Sequence, residues 1–450
     1  MMERVACVPR IFTAALISTF LVGAVYAEEF VLPLTPASLI RLDAAAAGRV
    51  PYVSPAAESP LSAPTSVPVA LQSPNVVRPT LAWTKLATDL FVKHKTSPNR
   101  AARALAVLHA AMHDATVYTR QRCGGKSCIA DAEWLAVSAA AARTVRYLFV
   151  AEGNNFDRAV YRLAFAANTS IGVSHSEDKS RWLSVGQIVG EAAVQYAESD
   201  GAAKGWNGSN LEYYGEGRYY GPGSWEPTAP YFYYPPEEPF APGWRTWSLE
   251  RASEFRPTPP DFATDVYIEA LREVVSFSPE KLSGQQRRIA LLWADGRGTV
   301  TPPGHWNLIA LDLLSQSTVS DKGVVKLFTL LNLALADAFV AAWDAKYAYW
   351  SMRPVTAAKK LLGVSFAPLI LTPAFPSYVS GHAAFSGAAA TVLAHYFPDK
   401  AATLHVMSEE AAMSRLYGGI HFRFDNEDGL ALGRRVATRV LERYGSSAVR

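Results

Sequence analysis

Three stretches in the second half of the chain combine residue types that bind and react anions. The first, DAKYAYWSMRP (344–354), sets Lys346 and Arg353 seven residues apart with Trp350 between them. At helical spacing these share one face, and two cations on so apolar a segment are costly without an anion. Asp337 and Asp344 of the same segment are the ordinary partners, and a bound anion is the alternative. The second stretch, FPSYVSGHAAFSG (375–387), opens a helix on Ser380-Gly381-His382. The first N–H groups of a helix lack partners and its dipole adds partial positive charge there, which suits an oxyanion. Ser380 supplies a hydroxyl, Gly381 lets an anion approach the main chain, and His382 stands at the edge, either as a plain cap or as a group that moves protons. The third, SRLYGGIHFRFDNEDG (414–429), ends a helix near Arg415, turns at Gly418-Gly419 and brings round His421. Asp425 is a candidate cap for the helix that follows, with Asp428 three residues on. Singly, each stretch reads as caps and core salt bridges. Together they supply what is needed to hold and react a tetrahedral oxyanion.

Lys346, six residues, Arg353-Pro354; Ser380-Gly381-His382; and Ser414-Arg415, three residues, Gly419, one residue and His421: this order resembles the three-part signature of the vanadium-dependent haloperoxidase and type 2 phosphatidic acid phosphatase superfamily. RALAVLHAAMHDA, WADGRGTVTPPGHWN and the segments around the three motifs are similar to its soluble bacterial haloperoxidase branch, over most of residues 80–450. The resemblance implies an all-α fold of helical bundles with the anion at one end of a bundle. It implies that Lys346, Arg353, Ser380, Gly381 and Arg415 bind the oxygens of vanadate, that His421 bonds to the metal, and that His382 acts as acid–base. Lys346 would also polarise the peroxide. Asp295, in WADG, matches by neighbourhood an acid that pairs with the arginine of the third motif, although it could equally cap a turn. Val379 stands where proline is frequent in the superfamily and is expected to loosen the approach turn slightly.

The activity so implied is halide oxidation by hydrogen peroxide. The competing activity uses the same residues: an acid phosphatase would take phosphate as its substrate group, with His421 attacking phosphorus and His382 protonating the leaving group. The aromatic Phe375 favours the peroxidase, because a dry rim suits halide better than a charged ester, though it is equally a core side chain. A protein that only sequesters an oxyanion would need neither histidine.

Helices must position these groups. LFTLLNLALADAFVAAWDAKYAYWSMRP predicts a long buried helix ending near Arg353, since Pro354 disfavours helical geometry in the residue before it. AARALAVLHAAMHDATVY, ALAVSAAAARTVRYLFV and SVGQIVGEAAVQYAESD show helical spacing, and helices return after Pro259. Residues 201–260 are too rich in Pro, Gly and aromatics for helix, and form either a packed surface loop or a functional lid or channel wall.

The remaining composition bounds the setting. A net charge of +3 over 450 residues implies no broad basic surface for nucleic acid. Residues 1–27 read as a signal peptide, too short in their apolar run to span a bilayer, so the mature protein is expected to be exported to the periplasm or the medium with no membrane span. Residues 28–80 read as a Pro/Ala-rich linker or arm, and 81–450 as the folded domain. Cys123 and Cys128, in QRCGGKSC, suit a small disulfide loop; a metal site there would need two further ligands.

Overall fold

A computed structural model describes residues 39–40, 78–123, 126–165, 176–204, 213, 215 and 217–445. The fold class expected from the sequence is the one observed: thirteen α-helices account for the regular structure of these residues, and the only β pairing among them is an isolated bridge between Ser224 and Ser351.

Helices α1 (Pro79–Lys93), α2 (Pro98–Arg122), α3 (Lys126–Leu148), α4 (Asn155–Phe165) and α5 (Ser176–Ser199) make the first layer. Small residues let them lie close: alanines of α2 and α3 are almost all buried, and a side-chain carbon at Gly186 on α5 would strike the Ala136 carbonyl at 2.2 Å. After α6 (Asp265–Ser276), α7 (Gly284–Leu292) and α8 (Thr301–Ser315) comes the spine of the molecule, α9 (Asp321–Tyr349). Ser320 caps it by accepting from the Gly323 amide, and every residue from Gly323 to Lys346 is buried. A helix apolar all round belongs inside a body or a membrane; α9 is long and apolar enough to cross a bilayer, but its apolar window lies wholly within the protein. It touches α2 on one side and α11 (Gly381–Tyr396) and α13 (Arg423–Tyr444) on the other, while α12 (Ala401–Tyr417) flanks α11.

The end of α9 differs from expectation. The helix stops at Tyr349, and Trp350 adopts the left-handed conformation with φ 52°. The proline rule missed this because the cause is tertiary: the Trp350 ring packs among Tyr213, Trp225 and Tyr347, and its carbonyl accepts from the Trp225 amide at 2.6 Å. Trp350 therefore does not lie between Lys346 and Arg353 on a helix face, and Arg353 projects from an extended residue that precedes the short α10 (Pro354–Ala357). Asp337 and Asp344 are also engaged elsewhere. Asp337 accepts from the Trp247 and Ser248 amides and the Ser248 hydroxyl, and Asp344 pairs bidentately with Arg256. Both acids tie the irregular 241–256 segment to α9, leaving Lys346 and Arg353 without an acid from their own helix.

Where residues 201–260 are described they contain no α-helix, only short 3₁₀ turns. Of the proposed arm, Leu39 and Ile40 are seen docked on α2, each donating its amide to the Asp114 carboxylate at 3.0 Å, with Ile40 in the core. The last residues of the proposed arm already belong to the body, since Arg78 stands at the N-cap of α1 and Pro79 and Thr80 open it; the signal segment and the remainder of the arm lie outside the described residues. Cys123 is disulfide-bonded; the side chain of Cys128 lies outside the described residues.

Candidate active site

The three motifs meet where the C-terminal end of α9, the N-terminus of α11 and the turn between α12 and α13 converge. Lys346, at the end of α9, is fully buried and donates to the carbonyls of Pro376, Ser377 and Val379 at 2.9, 2.8 and 2.5 Å. One ammonium thus pins the strand that leads into α11. The expectation that Val379 loosens this turn does not hold: Val379 is fully buried and its carbonyl is one of the three that Lys346 grips. The peptide before it, Tyr378–Val379, is cis.

Arg353, equally buried, donates through Nε to the Phe375 carbonyl at 2.9 Å and through Nη1 to the Ile420 carbonyl at 2.8 Å and His421 Nε2 at 3.1 Å. Its Nη2 is buried with no partner. Arg415, on the last turn of α12, donates to the Trp293 and Ala290 carbonyls and to Ser414 Oγ. Ser380 is the N-cap of α11, its Oγ accepting from the Ala383 amide at 3.4 Å. The N–H groups of Gly381 and His382 at the start of that helix have no intrahelical acceptor. A side-chain carbon on Gly381 would stand 3.2 Å from the Trp343 ring, so the approach to the main chain stays open only without one.

His421 follows the turn at Gly419, whose φ of 75° favours glycine and where an added side chain would press on Phe366 and Pro368. Its Nδ1 lies 2.7 Å from Asp425 Oδ2. The same carboxylate oxygen accepts from the Ser377 hydroxyl at 2.5 Å and the Phe422 amide at 3.3 Å. With Nδ1–H donated to Asp425, Nε2 of the neutral ring carries a lone pair, and that nitrogen faces Arg353. Asp425 thus does two jobs, holding the first turn of α13 and orienting the histidine. Sequence reasoning caught only the capping role; the four-residue spacing of His421 and Asp425 was the available signal.

Burial and the crowd of cations set the electrostatics. Burial, then Arg353, pushes the Lys346 ammonium well below its usual range, and burial lowers Arg353 to about 9 and Arg415 to about 10. Burial also holds His421 far below the ordinary histidine value, aided by Arg353 and Lys346, and does the same to His382, aided by Arg415. Both imidazoles are neutral at physiological pH. The Asp425 carboxyl rises to about 6, burial outweighing the Ser377 hydrogen bond.

Phe375 is half-buried, with the Lys346 ammonium 5.1 Å and the Arg353 guanidinium 4.9 Å from its ring centre and Trp343 packed on it at 4.9 Å. Trp350 is set apart from this group in its own aromatic cluster. Asp295 makes no direct ion pair with Arg415, acting on it only through space; its contact is with His305 Nδ1 at 2.9 Å. The arginine is satisfied instead by the carbonyls of Ala290 on α7 and of Trp293 at the end of that helix, two residues before Asp295.

Residues 326–445, which hold all three motifs, match the family described as the PAP2 superfamily. Over these residues the chain is similar to that superfamily. The vanadium chloroperoxidase of Curvularia inaequalis is 27% identical over 175 residues, which cover 31% of this chain and 28% of that relative, so the match spans little more than a quarter of the relative's length. The fold is shared more widely. A bacterial vanadium-dependent iodoperoxidase superposes with a TM-score of 0.67 at 24% identity, over 82% of this chain and 97% of that one. The holo form of a bacterial vanadium-dependent chloroperoxidase superposes at 0.62 with 16% identity, over 78% and 93%.

The fit of this site to an oxyanion is tested by its orphaned atoms. Arg353 Nη2 and His382 Nε2 are both buried and unpartnered, and the free N–H groups of α11 add donors beside them. Buried polar atoms are seldom left unpaired without a functional reason. A tetrahedral anion would satisfy these atoms and neutralise cations that Asp425 alone does not balance, so the residues fit vanadate or phosphate.

Proposed function

We propose that the protein is a vanadate-dependent haloperoxidase that oxidises halide with hydrogen peroxide. The observation that carries this reading is the pairing of a dry, cation-rich oxyanion cradle with an aromatic wall: Phe375 and Trp343 cover Lys346 and Arg353 where a phosphoester would need solvated room for its leaving group.

Arg353, Arg415, Ser380 and the Gly381 amide would hold vanadate, with His421 Nε2 as its protein ligand. Bound there, vanadate supplies a Lewis-acid centre that activates peroxide without a change of oxidation state. The chain's own residues do the rest. Asp425 fixes the His421 tautomer so that Nε2 presents a lone pair. His382, neutral and with Nε2 unpartnered, takes the proton that hydrogen peroxide gives up on binding. Lys346, through its three carbonyls, holds the Ser377–Ser380 strand, so the donors of α11 need not reorganise during reaction. This clamp occupies the ammonium that the family resemblance assigns to the anion.

The histidine–aspartate pair also favours a second reading, an acid phosphatase with His421 as nucleophile, since an oriented, neutral imidazole is what such an attack requires. Paired assays on protein lacking residues 1–27 separate the two. Vanadate-dependent bromination of a dye by peroxide and bromide, lost in His421→Ala, is the expected result. Hydrolysis of a chromogenic phosphate ester that vanadate inhibits, with no bromination at any vanadate level, would overturn the haloperoxidase reading.

A further inference from the structure

The irregular segment after residue 217 is fastened at two points to the strands that build the site. On one side Trp225 donates its amide to the Trp350 carbonyl at 2.6 Å and Met352 donates to Gly223 at 2.8 Å, just before Arg353. On the other, Glu237 donates to the Ala374 carbonyl at 2.9 Å, just before Phe375, and its own carbonyl accepts from Trp343 Nε1 and the Tyr347 hydroxyl. Residues 226–236 therefore span from the Arg353 side of the site to the Phe375 side. Tyr219, Tyr220, Tyr231, Tyr233 and Tyr234 lie on and beside this span, 45 to 71% exposed. Arg218 gathers the two ends, its guanidinium 4.7 Å from the Tyr220 ring and 5.7 Å from the Tyr234 ring.

No other tyrosine among the described residues is exposed to this degree. The carbon and sulfur targets that would compete irreversibly for an electrophilic oxidant are largely shielded. Described tryptophans are buried, Met112 and Met352 are buried, and Met407 and Met413 are half-buried. Among cysteines whose side chains are described, Cys123 is disulfide-bonded. Indole is hidden and sulfur wholly or partly so, while phenols are concentrated on one exposed span anchored to the site.

We propose that Tyr219, Tyr220, Tyr231, Tyr233 and Tyr234 form a modification site at which the protein takes up electrophilic halogen as ring-halogenated tyrosine. The proposal rests on the haloperoxidase reading for its source of hypohalous acid. The ring carbon next to the phenol hydroxyl attacks the halogen. A carbon–halogen bond forms as the halogen–oxygen bond breaks, and the departing hydroxide takes the displaced ring proton as water. The ring carbon is oxidised by two electrons and the halogen is reduced to the bound halide level. Oxidant that meets no acceptor is thus consumed on expendable rings before it reaches the buried tryptophans around Trp350.

The test uses the full mature chain and peptide mass spectrometry, with two arms. In one, the protein without vanadate receives a few equivalents of reagent hypobromite; in the other, the protein with vanadate turns over peroxide and bromide. Bromine on these five tyrosines in both arms, before any appears on Tyr267, Tyr378 or a tryptophan, is the expected result. Bromine elsewhere first in the hypobromite arm overturns the proposal. Bromine on the span with reagent and none during turnover overturns the haloperoxidase reading, and with it this source of halogen. A variant with all five replaced by phenylalanine, which removes no group of the anion site, should keep its initial rate and lose activity after several-fold fewer turnovers. Unchanged turnover to inactivation would refute the protective consequence.

Discussion

Asp425 carries the most consequence per atom of any residue near the anion site. Three donors converge on its Oδ2, while Oδ1 is buried without a partner. Its carboxyl is held near 6 by burial, which means the fold bears an unfavourable charge there for the sake of the imidazole it orients. Asp425→Asn should therefore separate function from stability. An amide that donates to Nδ1 favours the tautomer with the proton on Nε2, so turnover should fall about 10- to 100-fold, as for other residues that orient a ligating histidine. Removing a charge that burial disfavours should leave the melting temperature nearly unchanged. Steady-state rates and a thermal melt on the same preparation check both halves. At this scale the sequence was informative about types and poor about partners. Lys346, Arg353, Arg415, His382 and His421 stood out because charged and titratable groups are rare in so apolar a background. The Asp425 contact was hidden because a helix-capping acid and a histidine-orienting acid look alike until the chain turns.

At the scale of elements, the site depends on how closely α11 and α13 lie, since one presents Ser380 through His382 and the other follows directly from His421. A side-chain carbon on Gly433 would sit 2.1 Å from the Ala384 carbonyl, a backbone atom that cannot move aside cheaply. Gly433→Ala should thus force the helices apart and cost about 1–3 kcal/mol, the usual range for overpacking. Denaturant unfolding measures that cost, and a parallel loss of oxyanion affinity is expected because the shift propagates to both histidines. Helix existence was legible here from apolar spacing, and the close approach was hinted at by Gly and Ala in the final segment. The end of α9 was not legible. Pro354 set an upper bound on the helix, whereas the actual stop at Tyr349 comes from Trp350 turning into a pocket of aromatics supplied by residues more than a hundred positions earlier.

For the whole molecule, the balance of charge predicts its response to ligands and pH. Lys346, Arg353 and Arg415 are all shifted toward their neutral forms by burial, so the folded state is held back by charge that an oxyanion would relieve. An oxyanion such as vanadate or phosphate that binds the folded state alone should, at a hundred times its dissociation constant, add about 2.7 kcal/mol, seen as a rise in melting temperature. The histidines set the acid side. His109 is lowered to about 4, and His382 and His421 are also lowered. Unfolding frees all three to protonate, so the unfolded chain binds more protons below its ordinary histidine value and stability falls as pH drops below about 6.5. Asp425, raised to about 6, and Glu133, Glu237, Glu238, Asp337 and Asp428, which burial also raises, work in the opposite sense as pH falls. Denaturant midpoints compared at neutral pH and at about pH 5 should show the histidine contribution as a loss on acidification that is smaller in His109→Gln than in the parent protein. The general plan, a helical body with its chemistry in the last quarter of the chain, was readable from motif order alone. The path of the irregular segment was not, since a stretch of Pro, Gly and aromatic residues announces only that helix is absent. Its fastening is by main-chain groups at Gly223, Trp225 and Glu237. Such a mooring depends little on the side chains between its ends, so the residues of 226–236 other than its exposed tyrosines can be rewritten by drift or by design while the anion cradle beneath stays as it is. Variation among close descendants of this chain should accumulate at those positions first.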